Sequence, residues 1–300
     1  MSFTVDTAFV NSYHDMLEMI FQQEGSKLRG TLRNVTQNSE YDYWDRLGEA
    51  TVQEITTRHG DTPHNEIEHT RRRLQVTGYD TNEYFDNQDK LRMILDPKSG
   101  YAQAQAWALG RKMDDVILAQ LLGTAYSGKT GSTSVSFSSD NGQSVAVDYV
   151  EGGAVAANSN LTIAKLRRAR YLLLANDAIR DTEPVYLVGH PSQQDSLLRS
   201  TEVGSADFNS VKALVNGAVD TFMGFKFIWT TRTTKDSNNY RQVLAYPPSA
   251  GIVGIAQDIN VRIDELPTKR YSYQVYSTAT FGATRMWGEK VVKILCDETA

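Results

Sequence analysis

Residues 36–92 hold too few apolar side chains to fold by themselves. About a quarter of them are apolar and about a third are charged, against 40% hydrophobic and 22% charged for the whole chain. The aliphatic residues come singly: Val52, Ile55, Ile67, Leu74 and Val76. Thr51–His59 and Glu66–Val76 read as two extended arms, with Gly60–Pro63 as the turn between them. Ordering a residue costs roughly 1–2 kcal/mol of chain entropy, which this composition does not offset. Such a hairpin is either disordered or laid against another surface. Its partial alternation favours the second, and a long hairpin that needs a neighbour suggests a subunit contact.

Downstream, Tyr101–Leu122 has helical spacing. Ala102, Ala106, Leu109, Met113, Val116, Ile117 and Leu121 recur mostly at three- and four-residue steps and form one apolar stripe. Arg111, Lys112, Asp114 and Asp115 fall largely off it. Pro97, Ser99 and Gly100 punctuate the start, and Gly123 is a natural stop. The next residues, Gly123–Thr130, fit the phosphate-loop pattern G-x-x-x-x-G-K-[ST]. That motif binds phosphate when a buried strand precedes it and a helix begins at its Lys-Thr. Here the order is reversed: a helix enters it, and Gly131–Gly142, rich in serine, leaves it. The best candidate for an apolar strand ending in an acid suited to magnesium is Ile294–Glu298, at the far end of the chain and preceded by Lys293. We therefore read Gly123–Thr130 as a glycine-rich helix exit, with a nucleotide-binding protein as the alternative from another class.

Three hundred residues suffice for one large domain or two modest ones. No apolar run approaches a membrane span, and Met1–Asp6 lacks the basic and apolar regions of a signal peptide. The single cysteine, Cys296, rules out an intrachain disulfide and zinc sites built from several cysteines. The net charge of −5 is concentrated: residues 36–92 hold 12 Asp/Glu and 7 Lys/Arg, leaving 24 of each sign elsewhere. No domain-wide basic field for tight nucleic-acid binding is present.

Residues 7–22 form a short amphipathic helix pattern. From residue 161 the chain becomes α+β. Leu161–Ala175 is a helix with Leu166, Ala169, Leu172 and Leu173 inward and Lys165, Arg167, Arg168 and Arg170 more exposed. Val185–Val188 is a buried strand. A helix follows it, opened by Ser192 with Asp195 three residues on, in the manner of a capping box. A short helix covers about 210–215. Strands are expected at Phe225–Thr230, Gln242–Tyr246, Ile252–Ala256, Asn260–Leu266, Tyr271–Thr280 and Lys290–Leu295.

No catalytic, cofactor-binding or metal-ligating set stands out. His59, His64 and His69 lie five apart, which turns successive rings about 140° on a helix and to opposite faces on a strand. His190 has no nucleophile partner and reads as a turn residue. Asp80, Asp86, Asp89 and Asp96 have no calcium-loop spacing. Arg71–Arg73 sits among carboxylates, where ion pairing between subunits is at least as good a use as phosphate binding.

The order of these parts resembles the Hong Kong 97-type fold of tailed-phage major capsid proteins. Arg71–Gly131 carries the resemblance most clearly. Basic residues precede Val76, Asp86 and Asp89 lead to Asp96-Pro97, and an alanine-rich helix with Arg111–Asp115 ends in Gly123–Gly128. Tyr186–Pro191, Gly217–Thr231 and Gly288–Leu295 resemble later steps of the same fold. The resemblance implies an N-arm at 1–34 and an extended loop at 35–92. It implies a peripheral domain with a spine helix at 93–180 and 257–300, and an axial domain at 181–256. It further implies a structural protein, not an enzyme, whose copies form pentamers and hexamers of an icosahedral shell around double-stranded DNA. Implied partners are a separate scaffolding protein, a portal, DNA held non-specifically and a decoration protein, with no membrane and no cofactor. The implied location is the virion, assembled in the host bacterial cytoplasm. An encapsulin-like cellular shell has the same fold and is the near alternative. Relatives that cross-link do so through a Lys–Asn bond, and nothing here pairs Lys129 with an asparagine.

Overall fold

A computed structural model describes residues 22–54, 56, 58, 60, 64–85, 98–152, 155–180, 182–199 and 221–299. The expected helices at 7–22 and 210–215, His59, and Asp86, Asp89 and Asp96 lie outside them.

Three sheets share the strands. The first is built on two long strands, β12 (Gly251–Leu266) and β13 (Ser272–Arg285), paired antiparallel. β1 (Arg33–Thr36) runs parallel to β12 on one edge, and β4 (Thr77–Phe85) flanks β13 on the other. β12 joins the two short strands expected at 252–256 and 260–266. Irregularities between Ile255 and Gln257, and between Gln257 and Asn260, break its pairing where the sequence pattern also breaks. The second sheet is the hairpin of β2 (Tyr41–Leu47) and β3 (His69–Gln75), extended by β5 (Ala125–Ser127) and β6 (Thr133–Val135). The third, six-stranded, has the order β7-β14-β11-β8-β10-β9. Its strands are β7 (Gln143–Val145), β8 (Val185–Gly189), β9 (Thr221–Phe222), β10 (Phe225–Trp229), β11 (Arg241–Tyr246) and β14 (Val292–Cys296).

The first paired arm of the hairpin therefore begins earlier than expected. Residues 51–54 are not in a strand, and Val52 is 96% exposed. The paired arms are the ones that bring Trp44 and Leu74 onto the body, where they pack with Ile252 and Met286.

The helix α1 (Lys98–Leu122) presents Leu109, Met113, Ile117, Leu118 and Leu121 to Val253, Ala279, Phe281 and Ala283 of the long sheet. The near four-residue spacing puts these side chains on one face. The helix stops at Gly123, whose N–H bonds back to Ala119 O at 2.8 Å. A second core gathers α2 (Ile163–Ala175) with β7, β8, β10, β11 and β14. Thus α2 and β14, inside the expected 93–180 and 257–300, share a core with the strands of 181–256.

Lys165 reverses its expected exposure. It is fully buried, and its ammonium donates to the carbonyls of Ser159 (2.6 Å), Asn160 (3.1 Å) and Leu295 (3.0 Å). Burial pushes its pKa down. Three good acceptors are what make a buried ammonium tolerable. The helix α3 (Pro191–Arg199) also starts differently from expectation. His190 is the cap: its Nδ1 accepts from Ser192 N at 3.2 Å, and Gln193 Oε1 accepts from His190 N at 3.0 Å. Pro191 takes the first helical position, where a missing N–H costs nothing. The reciprocal box is His190–Gln193, two residues earlier than Ser192–Asp195.

Candidate functional site

The hairpin β2–β3 meets the body of the protein at a buried knot of charge centred on Asp140. A serine-rich turn aims this carboxylate inward: Ser136 Oγ accepts from Ser139 N at 3.3 Å, and the 3-10 turn Ser138–Asp140 follows. Three guanidinium groups converge on it. Arg285, at the end of β13 and fully buried, donates Nε to Asp140 Oδ2 at 2.9 Å. Arg72 of β3, also fully buried, donates Nη2 to Asp140 Oδ1. Arg46 of β2 lies 3.9 Å from the same oxygen and stacks on Trp287, 4.7 Å from the ring centre. Burial, more than the mutual repulsion, lowers the pKa of Arg46 and Arg72.

One carboxylate does not balance three cations, and backbone carbonyls take part of the remaining donors. Arg285 Nη1 donates to Leu121 O (2.9 Å) and Gly123 O (2.8 Å), the open carbonyls at the end of α1. A cation there also meets the negative end of the helix dipole. The knot thus ties hairpin, spine-like helix and long sheet together. At the crossing, Gly282 lets β13 touch the hairpin backbone: a Cβ there would sit 1.9 Å from Gln75 O.

A second buried carboxylate fixes the segment before β1. Asp114 of α1 is fully buried and accepts from Lys27 N and Leu28 N, both at 3.1 Å, and from Ser26 Oγ and Gln23 Nε2. The helix and the segment come this close because residue 110 is glycine; a Cβ would lie 2.6 Å from Gly25 C. A third, Glu298, receives Arg241 Nε (2.9 Å), Lys235 Nζ (2.8 Å) and Ser192 Oγ (2.7 Å). Burial works against its charge, but those hydrogen bonds outweigh it and hold the carboxyl well below its usual range. Glu298 fastens the end of the chain to α3 and β11.

Outside these anchors the hairpin faces solvent. Tyr41, Tyr43 and Tyr126 are exposed beside Arg71 and Arg73, with Arg73 lying 4.9 Å from the Tyr41 ring and 4.4 Å from the Tyr126 ring. Beyond Gly48, whose N–H bonds to Glu68 O at 2.8 Å, the described tip residues are exposed on both faces. The geometry offers a rigidly rooted ribbon whose described tip residues are open to contact.

The residues singled out in the sequence are dispersed. Gly123 O serves Arg285, Ala125–Ser127 pairs with β3, and Lys129 and Thr130 are exposed at the bend toward β6. A strand, not a helix, follows the glycine, so no helix N-terminus faces Lys129. Asp297, at the end of β14, belongs to a different sheet and accepts from Thr299. His64 and His69 are exposed. Arg71–Arg73 divide their work: Arg72 enters the knot, Arg71 pairs with Asp45 at 2.6 Å, and Arg73 lies between tyrosines. Asp140 and Glu298 were not singled out in the sequence, and Asp114, read there as lying off the apolar stripe, is instead fully buried because the segment before β1 packs over it.

A family model described as phage capsid protein matches residues 5–298. No curated protein matches. Among solved structures, the chain is similar to the capsid of Helicobacter pylori bacteriophage KHP30, with TM-score 0.73 at 8% identity over 99% of this chain and 98% of that one. It is similar to the capsid of Ralstonia phage GP4, with TM-score 0.72 at 10% identity over 99% and 97%. It is also similar to the capsid of cyanophage Pam1, with TM-score 0.70 at 14% identity over 99% of both chains.

Proposed function

The chain belongs to the phage capsid protein family, has the Hong Kong 97-type fold and is a structural major capsid protein, and from that premise we propose how its parts are used. Copies associate into pentamers and hexamers that close into an icosahedral shell around double-stranded DNA. The protein works without catalysis. A separate scaffolding protein and a portal take part in assembly in the host bacterial cytoplasm. DNA lies against the inner face without sequence reading, and the outer face is open to a decoration protein. The observation that carries this reading is the hairpin. Its root is locked by Asp140, while the described residues of its tip are exposed. A two-stranded ribbon is marginal in water, so a neighbouring copy is its natural support.

Residues 1–34 act as the arm, and the extended loop of 35–92 ends in β4, which joins the long peripheral sheet. We place the axial domain around the core of the six-stranded sheet, so that it takes in β7, α2 and β14 with residues 181–256. The family match does not favour the encapsulin-like alternative, and the strand after Gly123 does not favour the nucleotide-binding one. Negative-stain microscopy of the protein expressed with a scaffolding protein tests the proposal. Rings or closed shells are expected; a compact monomer under every assembly condition overturns it.

A further inference from the structure

A pocket of about 390 Å³ opens at the root of the hairpin, between Trp44 and Arg46 of β2, Arg33 of β1 and the turn that carries Lys290. Four cations, Arg33, Arg46, Arg180 and Lys290, line it with two carboxylates, Asp45 and Glu183. Both carboxylates are engaged. Asp45 accepts from Arg71 at 2.6 Å, and Glu183 accepts from Ser249 Oγ at 2.8 Å with Arg180 at 3.7 Å. The donors are not used up. The Trp44 indole Nε1 is buried with no hydrogen-bond partner among the described residues. Arg33 stacks on the Trp44 ring at 5.1 Å and has no carboxylate partner among the described residues. Lys290 donates to Ser249 Oγ at 3.0 Å, which leaves two of its hydrogens.

The chain carries the complementary chemistry at the other end of the same hairpin. Residues 49–68 hold Glu49, Glu54, Asp61, Glu66 and Glu68 against Arg58. Among the described residues of this tip, the contact between His64 and Glu66 at 3.6 Å is an ion pair only when the imidazole is protonated. None of the tip's described carboxylates lines the pocket of its own chain. We propose that the pocket receives a carboxylate from the hairpin tip of a second copy, held by Arg33 and Lys290. This inference rests on the capsid reading, since it needs a neighbour of the same kind. Socket and plug are different patches of one chain, so the contact is heterologous. Each copy passes it to the next, and a ring closes when the rotation allows.

Carbodiimide joins a carboxylate to an amine in direct contact, so it reads this pairing in the intact assembly. Assembled particles made from a mixture of isotope-labelled and unlabelled chains should give a Lys290 cross-link to Glu49, Glu54, Glu66 or Glu68 in mixed-label peptides. A variant with these four changed to Gln should lose that product and assemble about tenfold less well. Circular dichroism confirms that the variant folds, and the cross-link in the unaltered protein does not depend on it. Particles in which Lys290 reacts only within its own chain, for instance with Glu183, overturn the proposal. So does a four-fold Gln variant that assembles as the parent does. Protection of Lys290 by inorganic phosphate, with the tip never reacting, makes this a small-anion site and overturns it too. If no particle forms at all, the capsid reading fails instead, which microscopy of the same preparation distinguishes.

Discussion

Asp140 holds a single negative charge among three guanidinium groups, two of them fully buried. Removing that charge leaves cations in a site largely closed to solvent. Asp140→Asn is expected to lower the stability of the unassembled protein by about 3–5 kcal/mol, measured by urea unfolding. Asp115→Asn, which breaks a more exposed pair with Arg232, should cost less than about 1 kcal/mol in the same assay. Glu298 gives a pH signature. Its folded pKa is depressed, so its contribution is full above the unfolded value near 4.5 and is lost as pH falls toward the folded one. Glu298→Gln should flatten the loss of thermal stability between pH 5 and pH 3; a profile that still parallels the parent would show that other carboxylates dominate. At this scale the sequence hid most of what matters. Asp114 and Asp140 are buried by partners 86 or more and 68 or more positions away. Lys165 was more legible, since it lies four and eight residues before Ala169 and Leu173, on the inward stripe of its helix.

Among the elements, α1 was the easiest to read, because a four-residue apolar repeat survives any tertiary context that buries one face. The halves of β12 were visible but their union was not, since the junction at 256–259 has neither strand's alternation. The hairpin was visible as a need for support before its register was, and its arms shifted to bring Trp44 and Leu74 onto Ile252 and Met286, residues more than 170 positions away. Gly282 is where the elements depend on one another most tightly. Gly282→Ala drives a methyl into Gln75 O, and the expected cost is about 3 kcal/mol, the upper part of the overpacking range. Thermal unfolding of the unassembled variant measures it. Replacing residues 50–66 with a two-residue Asn-Gly turn should do the opposite. The shortened protein should keep its far-ultraviolet spectrum and unfolding midpoint, because the tip adds no core, yet fail to form rings or shells by sedimentation. Normal shells from the shortened chain would remove the hairpin tip from the account of assembly.

For the whole molecule, the order of parts along the chain was more informative than any motif. Gly123–Thr130 matches a nucleotide-binding pattern at every fixed position, and the structure uses it to end a helix and add a strand to the hairpin sheet. Lys129→Ala should leave folding and assembly as they are. The knot at Asp140 has a kinetic meaning as well. Three strands from distant parts of the chain share one carboxylate, so no single strand can loosen while the others keep their pairing intact. Backbone amides of Trp44, Arg72 and Arg285 should therefore exchange with deuterium at one common rate, as a single opening unit. Graded rates, fastest at the hairpin, would mean that the three attachments act as separate bonds. Deuterium uptake would then tell whether this joint behaves as a latch, either shut or sprung, with no partly open state between.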